Sequence, residues 1–135
     1  MKIIIESVPP KDIRYSTCGD WQWLEDGTLR VEVPEFGNNP DSQFLVALHE
    51  MVEAWLCNRD GITEADVSKW DIDNPGLDEP GDSKNAPYHR QHRAAMTIET
   101  KMCALMLKNW GDHQHWVQDS ANEVDRAHAK MDQKL

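Results

Sequence analysis

Apolar and charged positions alternate most regularly in Leu29-Arg30-Val31-Glu32-Val33, the period-two signature of a strand with one buried face. Before it, residues 3–8 read as a short strand that stops at Pro9-Pro10. Residues 15–24 alternate less evenly, and Asp26-Gly27 supplies the turn of a hairpin leading into residues 29–33. Pro34 closes that strand, and Gly37-Asn38-Asn39-Pro40 reads as a loop.

The period then changes to that of a helix. Over residues 43–58, Phe44, Leu45, Leu48, Met51, Val52, Trp55 and Leu56 cluster into one apolar stripe, with Asp41 or Ser42 as the expected cap and Gly61 beyond the end. Thr63 with Asp66 has the spacing of a capping box that opens a short second helix. Residues 70–87 read as a long acidic loop broken by Pro75, Gly76, Pro80, Gly81 and Pro87, the kind of segment that often forms a lid or lines a site. A long helix is expected over residues 88–108, ended by Gly111, with a stripe of Tyr88, Ala95, Ile98, Met102, Cys103 and Met106. Strands first and helices afterwards predict an α+β fold. In it, a small N-terminal antiparallel sheet packs against the helix of residues 43–58 and the long second helix. Residues 1–111 form the expected domain. Residues 112–135 form a helical tail whose sparse apolar positions suggest weak packing, with His113, His115 and His128 in solvent.

Composition narrows the function classes. The chain has 135 residues, a formal net charge of −10 and 39% hydrophobic residues, including six Trp. A chain of this size buries roughly two thirds of its extended surface, enough for one core. The negative charge argues against nucleic acid or an anionic membrane as partner. No apolar run approaches a membrane span, and the run at residues 3–5 is too short for a signal-peptide core. Cys18, Cys57 and Cys103 are odd in number and widely spaced, which fits free thiols in the cytoplasm.

Candidate chemistry concentrates on the two long helices. His49 and Glu53 are four residues apart and share one side of their helix, on the shoulder of its apolar stripe, with Glu50 turned further toward solvent. On the second helix His92 and Glu99 fall inside the apolar stripe and His89 at its edge. A buried carboxylate needs a cation, a proton donor or a metal. Two explanations remain open. One is a shared metal site. The other is a metal-free hydrogen-bonded His92–Glu99 network assisted by Arg14, Arg30 or Arg59. For the metal site, His49, Glu53 and His92 give two imidazoles, one carboxylate and an open position, a recurrent set for catalytic zinc. His92 and Glu99 lie about 10 Å apart along the axis, so they do not share an ion. Using Glu99 in place of an imidazole would favour manganese or iron. Glu99 is better placed to orient a ligand imidazole, and His89 is an alternative ligand. Cys57, one turn beyond Glu53, is a conceivable soft fourth donor. Asp71, Asp73, Gly76 and Asp82 resemble a calcium loop only weakly, because Pro75 occupies a ligand position.

The segment from Leu29 to Glu99 resembles the minimal zincin metallopeptidases, and most nearly small bacterial and phage-type domains such as the ImmA/IrrE and SprT-like groups. The resemblance lies in an edge-like strand, the helix sequence Ala47-Leu48-His49-Glu50-Met51-Val52-Glu53-Ala54-Trp55, and a downstream helix able to give a third ligand. It implies a zincin-like fold holding one Zn2+ per chain, with His49 as a ligand and Glu50 as the general base. That family's pattern is His-Glu-x-x-His, and here Glu53 stands where the second His belongs. The expected function is a zinc-dependent hydrolase acting on a peptide or small-molecule substrate. The alternatives are a non-catalytic zincin scaffold that binds a protein partner, and a magnesium-dependent nucleotide hydrolase using Glu50, Glu53 and Glu99.

Overall fold

The computed structural model describes residues 1–133. It is an α+β arrangement of three strands and four helices: β1 (Ile3–Val8), β2 (Asp20–Trp23), β3 (Leu29–Pro34), α1 (Pro40–Arg59), α2 (Glu64–Asp73), α3 (His89–Leu105) and α4 (Trp110–Gln133). Single 3-10 turns lie at Pro10–Asp12 and Pro80–Asp82.

The sheet is mixed, not antiparallel as the chain order suggests. Its order is β1-β3-β2: β2 and β3 form the expected antiparallel hairpin, while β1 runs parallel to β3 on the other side. Pro9 and Pro10 lack the N–H groups a tight hairpin would use, so the chain leaves the sheet after Val8 and re-enters as β2. β3 is therefore the central strand, with β1 and β2 at the two edges. In the hairpin Asp26 Oδ1 accepts from Thr28 N at 2.9 Å, and Gly27 adopts φ 85°, a conformation glycine reaches without strain.

Leu29, Val31 and Val33 of β3 are fully buried and pack with Trp21, Val46, Ala47, Ala54 and Cys57 into the main core. At the start of α1, Asn39 is the cap, in place of Asp41 or Ser42: its Oδ1 accepts from Ser42 N at 3.1 Å with Pro40 in the first turn. Thr63 and Asp66 form the reciprocal capping box at the start of α2. That helix continues through Trp70 to Asp73, so the irregular acidic segment is shorter than the sequence suggests. The Trp70 indole donates to Pro80 O at 2.9 Å and ties the segment back onto α2.

α3 begins at His89 and ends at Leu105, with Leu107 at φ 56° making the break. Gly111 lies inside the first turn of α4 and does not terminate α3. α4 buries His113, Trp116, Ser120 and Val124, and Val124 joins Val8 and Ile13 in a second small cluster. The Trp116 indole donates to Phe36 O at 2.9 Å. Among the described residues, no helix is long and apolar enough to cross a membrane.

Candidate metal centre

α1 packs between β3 and α3, with α4 behind. Enclosed on several sides, it does not bury the stripe that its sequence displays. Phe44 and Trp55 remain 51% and 46% exposed, whereas His49 and Glu53 are 6% and 4% exposed. The two polar residues thus lie in the interior and not on a shoulder. α3 brings His92 and Glu99 to the same place, at 4% and 5% exposure. Ionisable side chains are rarely buried this fully unless they are paired.

Three atoms converge. His49 Nε2 lies 3.1 Å from Glu53 Oε2 and 3.3 Å from His92 Nδ1, and His92 Nδ1 lies 3.0 Å from Glu53 Oε2. Partners behind two of these residues fix which atoms face inward. Glu99 Oε1 lies 2.7 Å from His49 Nδ1, so that nitrogen carries a proton and donates it, and Nε2 is turned toward the triad. The Trp21 indole donates to Glu53 Oε1 at 3.0 Å, leaving Oε2 for the triad. Glu99 is itself held by α4: its Oε2 accepts from His113 Nε2 at 2.5 Å, and His113 Nδ1 accepts from the Ser42 hydroxyl at 2.9 Å.

Charges in this cluster respond to one another. Burial disfavours the His49 imidazolium, yet bonds to Glu53 and Glu99 outweigh it and hold the His49 pKa well above its ordinary value. Burial likewise opposes the Glu53 carboxylate, but hydrogen bonds to His49 and His92 bring its pKa down to about 2. Glu99 is lowered despite burial by its bonds to His113 and His49. Glu50 behaves oppositely. Desolvation first, and then the neighbouring Glu53 charge, raise its pKa well above the usual carboxylate range. It faces a cleft of about 880 Å3, close against Gly19.

The remaining candidates are dispersed. His89 Nδ1 bonds to Gly81 O at 3.0 Å and stays outside the triad. His92 and Glu99 share no hydrogen bond, and none of Arg14, Arg30 and Arg59 pairs with Glu99: Arg14 pairs with Asp20 and Glu64, and Arg30 lies near Glu6 and Glu32. Cys57 is enclosed in the main core, where burial pushes its thiol up to about 12. Asp71 accepts from the phenols of Tyr15 and Tyr88, which leaves no calcium loop there. His115 is exposed, but His113 is not solvated: it is fully buried against Glu99. The signal for it lay in residues 113, 116, 120 and 124, which recur at helical spacing although only two of them are apolar.

Comparisons with protein-family models, with curated proteins and with solved structures each gave no match.

Proposed function

We propose that this chain is a zincin-like, zinc-dependent hydrolase in which His49, Glu53 and His92 hold the ion and Glu50 is the general base. The observation that carries the proposal is the convergence of His49 Nε2, Glu53 Oε2 and His92 Nδ1 within 3.0–3.3 Å of one another, all three in the interior. Without a metal these atoms hydrogen-bond to one another through imidazole protons, and a divalent cation can take the place of those protons. Donors about 2.0–2.1 Å from a tetrahedral zinc stand roughly 3.3 Å apart, so the triad needs almost no rearrangement to hold one.

The donor set also fits: two imidazoles and one carboxylate with a side left open to a cleft is a common catalytic composition. When bound there, zinc supplies a low-pKa water and polarises a substrate carbonyl. The chain's own contribution is positional. Glu99 and Trp21 fix the two α1 donors from behind. Glu50, one residue after His49 and facing the cleft, is a desolvated carboxylate placed to accept a proton and pass it on to a leaving group.

The cleft favours a peptide over a nucleotide. Among the described residues lining it, Arg14 is the only Lys or Arg, and it is paired with Asp20 and Glu64. Phosphates would find no free cation there, whereas Glu64, Asp71, Asp78, Glu79, Asp125 and Asp132 suit a cationic or polar chain.

Elemental analysis of the protein as purified, beside a His49→Ala/His92→Ala variant, tests the site. About one zinc per parent chain and none in the variant is expected. No metal in either would remove the hydrolase reading and leave a metal-free polar network.

A further inference from the structure

Two of the three inward donors have a hydrogen-bond partner behind them, Glu99 for His49 and Trp21 for Glu53. The third does not. His92 presents Nδ1 to the triad, and its Nε2 is buried without a hydrogen bond. A nitrogen in that position carries the proton whenever Nδ1 is a ligand, so it needs an acceptor.

The nearest acceptor is Asp82 Oδ1, 3.3 Å away but not aligned for a hydrogen bond; Glu79 Oε2 follows at 3.9 Å. Both belong to the segment that closes over His92. Gly81 lies flat on the imidazole, with room for no side chain: a Cβ there would stand 2.4 Å from His92 Cγ. The same turn accepts from Trp70 through Pro80 O and bonds His89 through Gly81 O, so it is anchored from α2 and from α3. Arg93 Nη1 donates to Asp82 Oδ1 at 2.9 Å and holds the carboxylate beside the ring, and an ionised oxygen has capacity for a second donor.

We infer that Asp82 is the positioning residue of His92, accepting its Nε2–H and thereby turning Nδ1 toward the metal. This rests on the metal reading above and extends it to a residue of the acidic turn. The Asp82 side chain is 42% exposed, which leaves it room for the small rotation that aligns the bond while Arg93 stays paired. The turn then serves two purposes: it covers the third ligand and sets which ring nitrogen that ligand offers.

The test measures Zn2+ affinity by chelator competition in the full chain and in Asp82→Ala, Asp82→Asn and Glu79→Ala. It is read beside the thermal midpoint of each metal-free protein and long-range 1H–15N histidine spectra of the zinc-loaded ones. Loss of an outer partner of a ligand histidine costs about 10- to 100-fold in metal affinity. Asp82→Ala is therefore expected to weaken Zn2+ at least about 10-fold with little change in the metal-free midpoint. Asp82→Asn, whose amide oxygen still accepts, should recover most of that loss, and Glu79→Ala should stay near parent. The loaded parent should show His92 with metal on Nδ1 and a slowly exchanging proton on Nε2, and Asp82→Ala should lose the slow exchange. Parent-like affinity in Asp82→Ala, or metal on His92 Nε2 in the parent, overturns the assignment while leaving the metal site standing. An effect confined to Glu79→Ala transfers the role to Glu79 and equally overturns it. A parent that takes up no Zn2+ overturns the site and the assignment together.

Discussion

Glu99 Oε1 stands 2.7 Å from His49 Nδ1, and the other oxygen of the same carboxylate stands 2.5 Å from His113 Nε2. One side chain of α3 thus joins α1 to α4 through two imidazoles, deep in the protein. Because each imidazole donates to it, the carboxylate settles two tautomers at once. It turns His49 Nε2 toward the triad, and it leaves His113 Nδ1 to accept from Ser42. Replacing Glu99 with Leu strands two buried N–H donors, and leaving such groups unpaired costs roughly 1–3 kcal/mol each. We expect Glu99→Leu to lower unfolding free energy by about 3 kcal/mol in urea titrations, with Zn2+ affinity reduced at least 10-fold. Loss of stability under 1 kcal/mol would show that the two imidazoles find other partners.

On the proposed function, Glu50→Gln separates metal binding from catalysis. The amide cannot accept a proton, so hydrolysis of a responsive peptide substrate should fall by about 10²-fold or more while zinc content remains that of the parent. An undiminished rate would remove Glu50 from the reaction.

Gly19→Ala probes the same side chain from the opposite wall. The added Cβ would meet Glu50 Cγ at 2.8 Å and Val46 Cγ1 at 2.9 Å, and Glu50 is the more mobile neighbour. The expected outcome is a lower kcat with zinc stoichiometry unchanged and a stability cost of about 1–2 kcal/mol. A parent-like kcat would mean that Glu50 tolerates displacement.

Asp71, which is not a member of the triad, gives a pH dependence of its own. Burial is the main cause of its raised pKa, about 6, with hydrogen bonds from Tyr88 and Tyr15 pulling the other way. The folded state therefore holds this proton more tightly than the unfolded chain, whose aspartates titrate near 3.9. The stabilisation is fully present below about pH 4 and is lost as pH rises through about 6, amounting to at most ~3 kcal/mol. Asp71→Asn should flatten the stability profile between those limits relative to the parent. Tyr15→Phe, which removes one donor, should move the carboxyl titration seen by 13C NMR to higher pH. An Asp71 titrating near 4 in the parent would contradict both.

Local signals in the sequence were legible and long-range ones were not. The β2–β3 hairpin follows from Asp26-Gly27, and the start of α2 from Thr63 and Asp66, because each is settled within a few residues. The edge that β1 chooses depends on where the chain returns after Pro10, and no periodicity encodes that. Apolar spacing located α1 but misjudged its buried face. A helix packed against β3, α3 and α4 together can enclose His49 and Glu53 while leaving Phe44 and Trp55 half in solvent. Sequence spacing singled out His49, Glu53 and His92, and the fold brings their donor atoms into contact. It gave no sign that Trp21 would reach Glu53 or that His113 would leave the polar tail for the interior. Both depend on tertiary neighbours far along the chain.

The placement of His113 has a consequence for the order of events during synthesis. All three donors lie between residues 49 and 92, so they leave the ribosome before α4 does. Until His113 arrives, Glu99 has a single partner and can turn away from His49, leaving the triad's tautomer unsettled. On the proposed function, a nascent chain would therefore hold an ion loosely, able to exchange it, and would tighten its grip only when α4 docks. On that proposal, α4 is the latch on a site that it does not itself ligate.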